Sequence, residues 1–129
     1  MPQAGNVIIN DGQATPVAKT FTPESVTPQV STFADRTSGI ALGFQRIAVS
    51  TSFAKSAGSV NRTKYTVSVP VTQTVNGVTS VAYTLRANVE FIFPDGSTDA
   101  QRKDVYAYVV NGLQHTNVRA SLRDLDPQY

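Results

Sequence analysis

Apolar and polar residues alternate with a period of two through the middle of the chain. Ile47, Val49 and Phe53 fall on one side of a stretch whose other side carries Ala48, Ser50 and Ser52. The next stretch sets Tyr65, Val67, Val69 and Val71 against Lys64, Thr66 and Ser68. The last sets Val81, Tyr83, Leu85, Ala87, Val89, Phe91 and Phe93 against Thr84, Arg86, Asn88 and Glu90. Successive side chains of a strand point to opposite faces, so three stretches with one partition predict an antiparallel sheet with one apolar and one polar face. The expected strands are residues 30 to 37, Ile40 to about Phe53, Lys64 to Val71, and Val81 to Phe93. Between them lie turns at Ser38-Gly39 and Lys55 to Asn61, and an Asn76-Gly77 turn signal inside a Thr-rich loop. Upstream, Val7-Ile8-Ile9 followed by Asn10-Asp11-Gly12 predicts a tight N-terminal hairpin returning to Phe21. Pro23 and Pro28 predict a loop over residues 22 to 29, since each lacks an N–H and restricts the residue before it.

The period then switches. Thr98 with Gln101 three residues on forms a capping box, and Asp99 sits where the helix dipole favours negative charge. Val105, Tyr108, Val109, Gly112 and Leu113 recur at helical spacing, and Val118, Leu122 and Leu125 make a second, shorter stripe stopped by Pro127. Strands first and helices after predict an α+β fold with two C-terminal helices on one face of the sheet.

Composition agrees. Val and Thr number 17 and 15 among 129 residues, a bias toward sheet. Cysteine is absent and His115 is the only histidine, which removes disulfide scaffolds and thiolate metal sites. The length suits a single domain over residues 1–129. No apolar run is long enough to span a bilayer and the first residues lack the form of a signal peptide, so a soluble, unprocessed chain without a membrane partner is expected. The net charge is +2, but its distribution is uneven: residues 40 to 93 carry five basic groups and one acidic group.

The apolar face needs more cover than one chain offers. A helix of about 16 residues spans roughly 24 Å, whereas a strand of about 13 runs roughly 43 Å. The terminal strand, long and free of proline from Val81 to Phe93, would be an aggregation hazard if left unpaired. A two-fold axis beside it solves both problems, joining two sheets edge to edge and laying each chain's helices over its partner. The opposite face, rich in Ser, Thr, Asn, Lys and Arg, suits phosphate, ribose and base edges. Lys64 and Arg86, with Lys55, Arg62 and Arg46 nearby, give it a moderate positive field. The competing reading is a merely solvated sheet face.

No catalytic constellation is present, and neither an enzymatic activity nor a cofactor is expected. His115, alone near a helix end, fits a structural role. Asp95, Asp99 and Asp104 are explained by turn formation, helix-start electrostatics and a solvated helix face rather than by a metal site.

The chain resembles the coat proteins of single-stranded RNA bacteriophages, the leviviruses. The resemblance rests on Val7 to Gly12, Asn61-Arg62-x-Lys64-Tyr65, the Thr72 to Gly77 loop, Asn88-Val89-Glu90, Ser97-Thr98-Asp99 and the terminal Pro127-Gln128-Tyr129. It implies an N-terminal β-hairpin, a five-stranded antiparallel sheet and two C-terminal α-helices, paired as an interlocked homodimer with a ten-stranded sheet. It further implies a virion component assembled in the bacterial cytoplasm as a small icosahedral shell, usually T=3, with the sheet facing the genome. That face is expected to bind single-stranded genomic RNA, including a hairpin operator at the replicase start, which represses translation and marks the genome for packaging.

Carried over by position, the RNA-binding residues are Ser50, Ser52, Asn61, Lys64, Thr66, Arg86, Asn88 and Glu90. Three positions depart from the best-known members. Ala48 stands where a Thr often lines an adenine pocket, Ser68 where a Lys lies, and Arg86 where a base-stacking Tyr is common; a guanidinium plane can both stack and pair with phosphate. The segment from Thr72 to Ser80 resembles the loop around the shell's symmetry axes, which adopts more than one conformation. The alternative function is a dimeric RNA-binding regulator that never assembles, distinguished by a dimer peak with RNA but no shell.

Overall fold

The computed structural model describes residues 2–129. Backbone contacts gather the chain into two compact units: residues up to Phe53 with Asn61–Ile92, and Ala54–Val60 with Phe93–Tyr129.

The first unit is built on one antiparallel sheet. Its strands are β1 (Val7–Asn10), β2 (Ala18–Val26), β3 (Val30–Asp35), β4 (Gln45–Ser52), β5 (Val60–Val75) and β6 (Val78–Pro94), neighbours in chain order. Six strands stand where a five-stranded sheet and a separate hairpin were expected, because β2 belongs to both. It pairs with β1 through Ala18–Phe21 and with β3 through Thr22–Val26. The loop expected over residues 22 to 29 therefore shrinks to Thr27-Pro28-Gln29. Pro23 lies opposite Phe33 and Ser25 opposite Thr32, so Glu24 is the extra residue of a β-bulge. A bulge interrupts the ladder, and proline's missing N–H is tolerated there.

Other boundaries move for similarly local reasons. The first hairpin closes through a loop over residues 11–17 rather than a tight turn at Asn10-Asp11-Gly12. The Asp11 carboxylate accepts from the N–H of Val17 at 3.0 Å and of Gln13 at 3.3 Å, bonds that hold its carboxyl below the usual range. The strand expected from Ile40 begins only at Gln45, after a 3₁₀ turn at Ala41–Gly43. At the far end of the sheet, β5 and β6 run to Val75 and from Val78, so Thr72 to Ser80 is not a loop in this chain. Asn76 and Gly77 have φ of 52° and 78°, the two left-handed residues of a type I′ hairpin turn.

The core of this unit is small. Phe21, Phe33 and Ile47 are buried together, with Ala4, Val7, Tyr65 and Val67 packed on them. Phe33, Ile47 and Val67 lie opposite one another across β3, β4 and β5, so this cluster forms the apolar face. Toward the β6 edge apolar side chains are left open: Val49 is 44 % exposed, Val81 38 %, Tyr83 62 % and Leu85 55 %.

The second unit holds α1 (Asp99–Gln114) and α2 (Thr116–Arg123). The expected capping box starts α1: Thr98 Oγ1 accepts from the Gln101 N–H at 3.2 Å and Gln101 Oε1 from the Thr98 N–H at 2.9 Å. Asp99 pairs with Lys103 at 2.8 Å one turn on. Thr98→Ala is expected to cost about 1 kcal/mol, read by denaturant unfolding at fixed protein concentration, with Thr98→Ser close to wild type. Neither helix buries a residue in its own chain; Val105, Tyr108 and Leu113 of the predicted stripe are all exposed.

Two helical expectations are corrected. Leu125 does not continue the second stripe: α2 ends at Arg123, and Leu125 turns into the left-handed region with φ of 58° while the Asp126 N–H reaches back to the Ala120 carbonyl. His115 is not simply a helix end. It caps α1 with its N–H on the Gly112 carbonyl, and its own carbonyl accepts from Arg119 as the first bond of α2. The negative end of one helix and the positive end of the next meet on it, so the single-dipole argument does not apply.

Candidate nucleic-acid interface

Register fixes the polar face residue by residue. In the β4–β5 ladder Ser50 faces Lys64, Ser52 faces Arg62, Ala48 faces Thr66 and Arg46 faces Ser68. Residues directly opposite share a face, so Ser50, Ser52, Lys64 and Thr66 come together as expected. Glu90 joins them because its carboxylate accepts from Arg62 Nη1 at 2.8 Å across β5 and β6. Alternation counted back from Glu90 brings Asn88 and Arg86 to the same side.

Alternation along β5 does not bring Asn61 to that side. It precedes Arg62, and the ladder runs from Ser52↔Arg62 to Arg46↔Ser68 without a shift, so alternation turns Asn61 to the apolar side with Thr63 and Tyr65. Arg62 takes the place expected for it. Strict parity with Lys64 carries that information; carrying the position over from the resemblance obscured it.

The cations on this face are of two kinds. Arg46 Nε and Nη2 donate to the two carboxylate oxygens of Glu24 at 3.0 and 3.3 Å, a forked pair between the bulge of β2 and the start of β4. The Arg46 guanidinium holds the Glu24 carboxyl below its ordinary value. Arg62 is likewise engaged by Glu90. Lys64 and Arg86, by contrast, enter no ion pair among the described residues and stay exposed. The face thus presents hydroxyls, an amide and unneutralised cations on a pleated floor.

Because Glu24 is held low in the fold, its contribution to stability is present above the ordinary glutamate range, near 4.5, and is lost as pH falls through the lowered value. In Arg46→Met the Glu24 carboxyl is expected to titrate back in the ordinary range, followed by NMR on the dissociated protein.

The single chain thus has a sheet with one hydroxyl- and cation-lined face, apolar side chains left open toward its edge, and two helices whose apolar stripes are uncovered. The chain belongs to the levivirus coat protein family, whose sequence profile it matches over residues 2–129. It is 27 % identical over 114 residues to the capsid protein of Pseudomonas phage PRR1, covering 87 % of this chain and 86 % of that one. Its fold superposes on the virus-like particle subunit of bacteriophage ESE058 with a TM-score of 0.89 at 26 % identity, over 99 % of this chain and 100 % of that one. The bacteriophage GA capsid protein shares the fold at 18 % identity, with a TM-score of 0.75 over 97 % of each chain. The protein is therefore a phage coat protein, a structural component of the virion.

Proposed function

We infer that the chain forms an interlocked homodimer in which two copies of β6 pair edge to edge, so that β2 to β6 of each subunit make a ten-stranded sheet. The helices of each subunit cover the apolar face of its partner. Dimers assemble into a T=3 shell with the polar face turned inward onto single-stranded genomic RNA, and binding of an RNA hairpin there represses replicase translation and selects the genome.

The observation that carries this reading is the character of β6. It is a 17-residue strand at the edge of the sheet, apolar and exposed on one side at Val81, Tyr83 and Leu85 and polar on the other at Arg86, Asn88 and Glu90. A strand of that length left unpaired would template aggregation, whereas a two-fold contact satisfies its backbone and buries its side chains together. Each helix stripe supplies apolar surface of the kind the opened face lacks. Electron microscopy of the expressed protein, with sequencing of any encapsidated RNA, tests it. Particles of T=3 size enriched in the cognate genome are expected; a monomer without particles under assembly conditions refutes it.

A further inference from the structure

Beyond the carried-over positions, the polar face ends in a cluster that nothing above assigns. Phe44, immediately before β4, has the Arg36 guanidinium 5.7 Å from its ring centroid and that of Arg46 at 5.5 Å. Arg46 lies opposite Ala34 on β3 and Ser68 on β5, which puts ring and cations on the side of Lys64. The two arginines differ in what they have left to offer. Both arms of the Arg46 fork are taken by Glu24. Arg36 makes no hydrogen bond or ion pair from its side chain among the described residues; its guanidinium rests on the ring with its donors unused.

The backbone that carries Arg36 is fixed. Asp35 is buried, accepts from the Thr37 N–H at 3.0 Å and from the Thr37 hydroxyl. The Arg36 carbonyl accepts from Gly39 at 3.1 Å, and the Ser38 hydroxyl donates to the Ile40 carbonyl. A cation whose plane is set by an aromatic ring loses little freedom on binding an anion, and guanidinium matches phosphate with paired donors.

We propose that Arg36, oriented by Phe44, is an RNA-backbone anchor that extends the interface beyond Ser68 toward the β3–β4 connection. This rests on the reading of the polar face as the RNA surface. From Ser50 opposite Lys64 to Arg46 opposite Ser68 is four residues along β4, roughly 13 Å, so one strand of a few nucleotides lying along β4 meets Lys64 at one end and Arg36 at the other. Glu24 lies within electrostatic reach of Arg36 as well as of Arg46, but only Arg46 is hydrogen-bonded to it, so Arg36 takes a phosphate without breaking an ion pair.

The test is a salt series of equilibrium binding between dissociated coat protein and a labelled single-stranded RNA oligonucleotide of random sequence. Wild type is compared with Lys64→Ala, Arg36→Ala and Phe44→Leu, each checked for wild-type circular dichroism and elution; Arg36→Gln replaces Arg36→Ala if the latter does not fold. Arg36→Ala is expected to weaken binding and to reduce the steepness of log K against log salt by about 0.7, one phosphate contact on a single strand. Phe44→Leu is expected to weaken binding while the charge remains. If Lys64→Ala weakens binding but Arg36→Ala leaves affinity and slope unchanged, the anchor is refuted and the RNA face stands. Wild-type affinity in Phe44→Leu removes the ring's role and overturns the proposal as stated. If wild type fails to bind, or Lys64→Ala is also without effect, the RNA face itself fails.

Discussion

Leu85→Asp is expected to eliminate particles. Counting back from Glu90, Leu85 falls on the apolar side of β6, where it is 55 % exposed in the single chain and lies against the partner in the proposed dimer. A carboxylate there has to be desolvated without a partner, a cost of several kcal/mol, and every two-fold contact of a shell repeats it. Sizing and electron microscopy should show small species only. Leu85→Met, which conserves volume and costs under about 1.5 kcal/mol, should keep the particles. Because Leu85 lies outside the cluster of Phe21, Phe33 and Ile47, the sheet around that cluster should retain its circular dichroism in the variant. Particles formed by Leu85→Asp would mean that the faces are assigned the wrong way round.

The complementary pair, Lys64→Ala and Arg86→Ala, is expected to weaken RNA binding while leaving assembly contacts intact. Among the described residues these two cations have no carboxylate partner, so each can neutralise a phosphate and release its counterions; losing one should flatten the salt dependence by about 0.7 for single-stranded RNA. Arg62→Ala should act less directly, since that guanidinium is held by Glu90 and its removal leaves a carboxylate facing the RNA. Binding titrations at several salt concentrations check both. An unchanged slope in the Lys64 and Arg86 variants would show that the polar face is solvated rather than occupied.

The elements that were legible in the sequence were those set by local chemistry. The capping box at Thr98 and Gln101, the Asn76-Gly77 turn, and the strands β4, β5 and β6 all depend on residues close in the chain. The cap and turn appear where the pattern put them, and the strands overlap the predicted stretches with shifted ends. The misplacements have a common cause. Pro23 reads as a strand breaker by itself, yet β3 supplies a ladder in which Glu24 can bulge and the strand continues. Leu125 fits a helical stripe by spacing, yet the chain has already left the helix at Asp124.

The candidate site divides in the same way. Lys64, Thr66, Ser50 and Ser52 were readable because alternation along each strand needs no partner. Asn61 comes from the resemblance by position, and only the pairing of Ser52 with Arg62 shows which of the two adjacent residues faces the same way as Lys64. Equally, the sequence lists Arg36, Arg46, Arg62 and Lys64 as equal charges. Their inequality comes from Glu24, 22 residues from Arg46, and Glu90, 28 residues from Arg62, which reach them only through strand pairing.

By itself, the order of residues determined that this protein has a two-sided sheet followed by two helices, because side-chain alternation, capping and turn preference are properties of neighbouring residues. Tertiary structure alone decided how β2 unites hairpin and sheet, which cations remain free to meet a phosphate, and how Phe44 comes to hold two guanidiniums. Those outcomes depend on register between distant strands, and register is fixed by the packing of whole faces rather than by any short stretch of chain.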